Sequence, residues 1–192
     1  MLRQGFILGL VLLFAGCAGQ SGHHVHEANV DSLEASARAS YAELLAANDG
    51  AKLLAEESVG VLVFPKILKA GLTFGGQYGE GVLFGGGEAM GYYNSLSASF
   101  GLQAGVQTFG YALIFTDADA LDFVRKSTGW EIGLGPSLVI ADRGIGKSLT
   151  STTVRSDIYA FVFDQKGLMA GSGLQGTKIS PIHRNKSNPS RE

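Results

Sequence analysis

Cysteine is almost missing from this 192-residue chain, which has one, Cys17. A lone cysteine excludes an intrachain disulfide. Histidine is confined to the ends, at His23, His24, His26 and His183. With neither residue type inside the central sequence, a Ser/His or Cys/His nucleophilic pair cannot be assembled there. Positive charge is also sparse: 15 Lys and Arg against 17 Asp and Glu, a formal net of −2. That balance excludes the basic face of a nucleic-acid binder. Apolar runs are short, the longest being the eleven residues from Gly5 to Ala15, against about 20 needed to cross a bilayer as a helix.

That short run is informative through what flanks it. Arg3 precedes it, and Phe14-Ala15-Gly16-Cys17 closes it. A basic start, an apolar stretch and small residues before a cysteine form a lipoprotein signal peptide, residues 1–16. The mature chain would begin at an acylated Cys17, followed by Ala18 as in lipoproteins sent onward to the bacterial outer membrane. The expected location is therefore the periplasmic face of that membrane, with surface exposure also open. Without Arg3 the mature chain has 14 basic and 17 acidic residues. Residues 17–30, polar and unpatterned, read as a flexible tether whose three histidines lack a pinned partner for a metal.

From Asp31 the pattern turns helical. Asp31 and Glu34 suit a capping box, and Leu33, Ala37, Tyr41, Leu44 and Leu45 fall on one face. Asn48-Asp49-Gly50 ends the helix, a short one follows over about 51–57, and Gly60 to Phe64 reads as a buried strand stopped by Pro65. Beyond it, glycine dominates: 28 in all, twelve of them between Gly71 and Gly110. Apolar and aromatic residues alternate through the same stretch, which predicts bent or closely packed β-structure. Extended segments are expected at 70–76, 79–86, 89–94, 96–107, 109–115, 131–141, 151–163 and 168–178.

The stretch from Leu96 to Phe115 alternates most regularly. Leu96, Ala98, Phe100, Leu102, Ala104 and Val106 hold one face, and Ser97, Ser99, Gly101, Gln103, Gly105 and Gln107 the other. After Thr108 the apolar phase flips to Phe109, Tyr111, Leu113 and Phe115. A straight strand of this length would span about 65 Å, so a bulge or turn is predicted near Thr108 to Gly110. Thr116 is expected to cap one inserted helix near 117–127, with Leu121, Phe123 and Val124 packing inward. Together these elements predict an α+β domain, mostly β, with a curved or barrel-like antiparallel sheet and N-terminal helices. A disordered basic tail, 183–192, closes the chain.

Two glycine motifs fail on context. Gly144-Ile145-Gly146-Lys147-Ser148 has Ala141 where a phosphate loop needs glycine, and no helix pattern follows. Gly171-Ser172-Gly173-Leu174-Gln175-Gly176 fits a dinucleotide fingerprint but lies in a β segment too near the end for a ribose-binding acid. Glu80 and Glu131 are the carboxylates best placed for acid/base work, though spacing does not demand it; no cofactor or metal is implied. The aromatic cluster Tyr92, Tyr93, Phe100, Phe109 and Tyr111 is expected to be mostly core, with some of it open to lining a lipid-facing patch, since tyrosine favours the boundary of apolar and wet surroundings.

Residues 31–182 resemble the SYLF domain family. The matching segments, in order, are Gly60 to Pro65 with Lys69-Ala70-Gly71; Gly75 to Gly81; Gly91-Tyr92-Tyr93-Asn94; Ala98 to Gly105; Gly129 to Gly133; Ser156 to Phe161; Lys166 to Gly171; and Gly176 to Ile179. The resemblance implies a domain that contacts membrane lipids. It further implies phosphoinositide binding in eukaryotic members and actin binding in some fungal ones, through a lysine-rich N-terminal helix. Here Arg38 is opposed by Asp31, Glu34 and Glu43, so lipid contact carries over as a class. The expectation is a non-enzymatic, acyl-anchored protein whose partners are membrane lipids, with phospholipid or phosphoinositide-like headgroups. Lys66, Lys69, Tyr92, Tyr93 and Trp130 are the candidate lipid-contacting residues. The alternatives are a protein-interaction module of the cell envelope with an actin-binding-like surface, or a carboxylate-dependent hydrolase.

Overall fold

The computed structural model describes residues 21–132, 135–141 and 156–183. The leader, Cys17, the Gly144–Ser148 motif and residues 184–192 lie outside them. Helices α1 (Ser21–Ala47) and α2 (Asp49–Glu56) come first, followed by strands β1 (Gly60–Gly71), β2 (Phe74–Gly85) and β3 (Glu88–Phe115). Helix α3 (Ala118–Lys126), two short strands β4 (Trp130–Glu131) and β5 (Leu138–Ala141), and the long β6 (Ile158–Ile182) complete the fold. The architecture is α+β and mostly antiparallel β, as expected; among the described strands only β5 pairs parallel, against β6.

The helix start differs from the sequence expectation. α1 begins at Ser21, so residues 21–30 are helical and not a free tether. Val30, one heptad before Ala37 and two before Leu44, is buried with them, extending the apolar stripe by a turn. Glu34 therefore sits inside the helix, accepting a hydrogen bond from the Tyr92 hydroxyl, and Asp31 is no cap. Asn48 does cap, but for α2, its side chain accepting from the Ala51 amide at 3.0 Å. At α3 the cap is Asp117, which accepts from the Ala120 amide at 2.9 Å. Thr116, expected in that role, donates instead to the Ser156 carbonyl at 2.9 Å.

Pro65 does not stop β1. The strand carries a bulge between Val63 and Lys66 and continues to Gly71, a bulge being where a sheet tolerates a residue without an N–H. β3 is one strand of 28 residues, and it escapes the length problem by curving. Its first half pairs with β2 and its second half with β1, both antiparallel. Since β1 and β2 are themselves antiparallel, β3 must reverse direction around their hairpin tip, where the Gly101 amide donates to the Thr73 carbonyl at 3.0 Å. β6 follows β3 along its whole length, from Tyr92 opposite Ile182 to Phe115 opposite Ile158. The sheet is thus strongly curved but open, ordered β1-β2-β3-β6-β4 with β1 also paired to β3.

The expected irregularity near Thr108 to Gly110 is present, but the extra residue belongs to β6: Thr108 faces Lys166 and Gly110 faces Phe163. Asp164, beside it, is the only non-glycine residue with positive φ among those described, at 49°. β3 has its own extra residue near Met90, opposite Leu83 and Phe84, and from Tyr92 to Thr108 it pairs with β6 in unbroken register.

Two apolar clusters sandwich the near half of the sheet. On one side Val61, Val63, Val82, Tyr92, Ile114 and Phe161 pack under α1 and α2 with Ala37, Leu44 and Leu54. On the other, Leu62, Ile67, Leu83, Leu113, Ile158 and Ile179 pack with Leu121, Val124 and Trp130. The far half, comprising the β1–β2 tip and the two arches around it, extends beyond both.

Candidate functional site: an uncovered apolar sheet face

Strand pairing places residues of one transverse row on one face. Across the far half, one row reads Lys178, Leu96, Tyr78, Leu68, Thr108, Lys166. The next row outward reads Gly176, Ala98, Gly76, Ala70, Val106, Leu168, and beyond it Phe74 stands opposite Phe100. This face continues the one that α1 covers in the near half, since Val82 and Tyr92 share its alternation with Tyr78 and Leu96. Here none of the described elements packs over it. Phe74 is 74% exposed, Phe100 58%, and Leu168 88%. Of fourteen exposed large hydrophobics among the described residues, eight lie here: Leu68, Leu72, Phe74, Tyr78, Leu96, Phe100, Val106 and Leu168. Scattered apolar side chains are normal on a surface, but a contiguous group marks an interaction site. Phe74 and Phe100 pack at a 5.1 Å centroid separation at the tip.

The opposite face is inverted in the same way. Gln77, Ser95, Ser97 and Ser99 are all buried. Ser97 donates to the Thr177 hydroxyl at 2.7 Å, whereas the Ser95 hydroxyl has no hydrogen-bond partner. Leu96, Ala98, Phe100 and Val106 thus point to solvent and Ser97 and Ser99 inward, against the usual rule for a half-buried strand.

The residues anticipated from the sequence divide by burial. Tyr92, Tyr93 and Trp130 are 6%, 5% and 2% exposed and belong to the two cores. They offer no surface to a bilayer: Trp130 stands opposite Ile179 under the sheet, and burial raises the Tyr93 hydroxyl pKa despite the opposing influence of Arg125. Tyr111 is buried too, its pKa also raised by desolvation. Lys66 is exposed on the apolar face, next to the tyrosine row, opposite Glu80. Lys69 is half-buried on the opposite face, between Gln77 and Gln107. Of the anticipated residues Lys66 lies on the apolar face, beside aliphatic residues that the sequence marked only as the apolar side of a strand.

Glu80 accepts from the Tyr78 hydroxyl at 2.8 Å, and Glu131 is exposed opposite Lys178. The glycine series 171–176 lies within β6, and no helix follows it among the described residues. No group of three potential metal ligands converges among the described residues. No helix among them is long and apolar enough to cross a membrane.

Two grooves flank α1. One, of about 540 Å³, runs between Ser32, Ser36 and Ser40 of α1 and Lys66, Leu68 and Tyr78, so it opens onto the apolar face. The other, of about 560 Å³, lies at the far side of α1, where the Arg38 guanidinium stacks 4.5 Å above the Phe84 ring. That contact occupies the helix's one arginine in packing.

Residues 96–188 match the family model of Ysc84, described as a Las17-binding protein actin regulator. The matched segment starts where β3 enters the exposed face. No curated protein matches the chain.

Proposed function

The chain carries a SYLF (Ysc84) domain over residues 96–188, and from that premise we propose that it is a non-enzymatic protein that binds membrane lipids through the far half of its sheet. The observation that carries this reading is the uncovered apolar face from Leu68 to Leu168. Exposed leucine and phenylalanine gain about 25 cal/mol per Å² on leaving water, whatever apolar phase receives them. A bilayer is such a phase, and it accepts a curved surface without shape matching.

Anchoring is a separate element of the proposal. Cys17, behind its eleven-residue apolar run, is the acylation site, and acyl chains hold the protein at the periplasmic face of a bacterial outer membrane. Substituting Cys17→Ser is expected to move the protein from the membrane to the soluble fraction; unchanged fractionation would refute the anchor.

Vesicle flotation tests the lipid reading, using the chain from residue 17 onward with Cys17→Ser, which keeps every described residue and removes both leader and acylation site. Flotation is expected, and its loss in Phe74→Ser/Phe100→Ser. No flotation with any headgroup would sink intrinsic lipid binding. A second reading is favoured by the description of the matching family model: the same face would dock a protein partner of the cell envelope. It would take the place of the first if vesicles never bind.

A further inference from the structure

The polar residues that frame the apolar face are arranged in couples. Lys66 stands opposite Glu80 on the same face. Lys166 pairs with Asp164 at 2.9 Å. Lys178 stands opposite Glu131. Lys166 and Lys178 terminate the row of Leu96, Tyr78 and Leu68 at its two ends. Every lysine at this level is thus accompanied by a carboxylate, and the frame has no net charge. No basic residue among those described lies farther out on the face, where Ala98, Ala70, Val106, Phe74 and Phe100 follow.

The spacing along the strands sets a depth. From Tyr78 to Phe74 is four residues, about 13 Å of extended chain. That is a little more than the 5–10 Å reached by interfacial elements and less than half of a ~30 Å hydrocarbon core. Tyr78, with a half-exposed ring and a hydroxyl bonded to Glu80, sits where apolar residues give way to charged ones, the position aromatic hydroxyls take at a membrane interface.

Resting on the lipid-binding reading above, we infer that the far half of the sheet enters a single leaflet tip first, with Phe74 and Phe100 leading, and that its coupled lysines and carboxylates meet zwitterionic headgroups. A phosphate and an ammonium in each headgroup match an ammonium and a carboxylate in each couple. Anionic lipid gains nothing from such a frame, because what each lysine contributes its neighbouring carboxylate cancels.

The test is flotation of the same Cys17→Ser chain with vesicles of phosphatidylcholine and phosphatidylethanolamine, with and without about a third of phosphatidylglycerol or a phosphoinositide. Binding to the purely zwitterionic vesicles is expected. Anionic lipid, or raising salt from about 50 to about 500 mM, should change it less than about twofold, since a frame of close opposite-charge couples has little long-range attraction to be screened. Glu80→Gln/Glu131→Gln uncouples two lysines and is expected to create a preference for anionic vesicles of roughly tenfold or more, by the known contribution of a surface lysine. Binding that requires anionic lipid in the parent chain, or that collapses with salt, overturns the zwitterionic inference while leaving lipid binding intact. Binding unaffected by Phe74→Ser/Phe100→Ser, with unchanged circular dichroism, overturns the insertion geometry. Absence of binding to every vesicle instead defeats the underlying reading.

Discussion

Replacing Gly105 with alanine probes the bend on which the exposed face depends. Gly105 has φ of 143°, and a Cβ there would lie 2.1 Å from the Leu168 carbonyl oxygen. Gly167 on β6, which faces Gln107 two residues further along β3, has φ of 93°, with the Val106 carbonyl oxygen 2.4 Å from the corresponding position. The two strands approach this closely because neither residue has a side chain, and both glycines lie where β3 and β6 curve around the β1–β2 tip. The positive φ costs an alanine about 1–2 kcal/mol. Moving a paired backbone carbonyl adds about 1–3 kcal/mol of overpacking strain. The expected destabilisation is about 2–5 kcal/mol, a melting temperature lower by roughly 5–15 °C for a domain of this size. Gly176→Ala is the control: it lies on β6, the strand paired with β3, is exposed, and has nothing within 4 Å of its Cβ position. It should melt within a degree or two of the parent, or slightly higher through reduced unfolded-state entropy. Thermal unfolding of the Cys17→Ser chain by circular dichroism gives the answer. A Gly105→Ala variant that melts with the parent, or a Gly176→Ala variant that falls as far, would refute the close-approach account of the bend.

Three further outcomes follow from particular residues. Asp117→Ala, which leaves the Ala120 amide without its cap, should cost about 1 kcal/mol, whereas a cap at Thr116 would leave Asp117→Ala silent in a denaturant titration. Burial raises the Tyr41 hydroxyl to a pKa of about 12 from the ordinary 10.0. The folded state therefore holds that proton more tightly than the unfolded one. Its stabilising contribution is complete below pH 10 and is lost as pH rises towards 12; Tyr41→Phe should flatten the fall in melting temperature over that window. Leu113→Ala, in a fully buried position, should cost about 2–5 kcal/mol, while Phe74→Ser, largely exposed, should shift stability by less than about 1 kcal/mol. The reverse order in urea unfolding would mean that the far half is folded against something other than solvent.

Much of the architecture was legible because local rules act alone in the near half. Leu33, Ala37, Tyr41 and Leu44 marked the α1 face, and Asn48 marked the α1–α2 boundary. The inserted α3 was framed by acids at its start and Arg125-Lys126 at its end. What misled was non-local. Pro65 stops a strand in isolation, but two neighbours admit it as a bulge. The change of apolar phase after Thr108 suggested that β3 flips over. It does not: Ser97 and Ser99 share a face with Tyr111 and Leu113, and what changes along that face is its surroundings, from a polar interior in the far half to the Trp130 cluster in the near half. Tyr92, Tyr93 and Trp130 were assigned to the membrane by residue type, while their strands run through the doubly covered part of the sheet, where any aromatic is core.

The inversion of Leu96 to Val106 bears most directly on function. A single sequence reports which residues alternate but not which side faces the core, because burial is decided by what packs above the sheet. Helix α1 covers this face over Val63, Val82 and Tyr92 and leaves it bare from Leu68 outward. Eight large apolar side chains left in water contribute nothing to folding, and the buried Ser95 hydroxyl without a partner on the other side is a cost. Folding stability alone would favour the opposite pattern, with serines outward and leucines inward, and that exchange needs only a change of residue at each position. The pattern is therefore matched to something other than the packing of the described residues. The nearly unbroken row of small and aliphatic residues between Tyr78 and the Phe74–Phe100 tip is suited to a fluid apolar phase more than to a shaped protein partner, which would be expected to leave a pocket or a polar anchor within it.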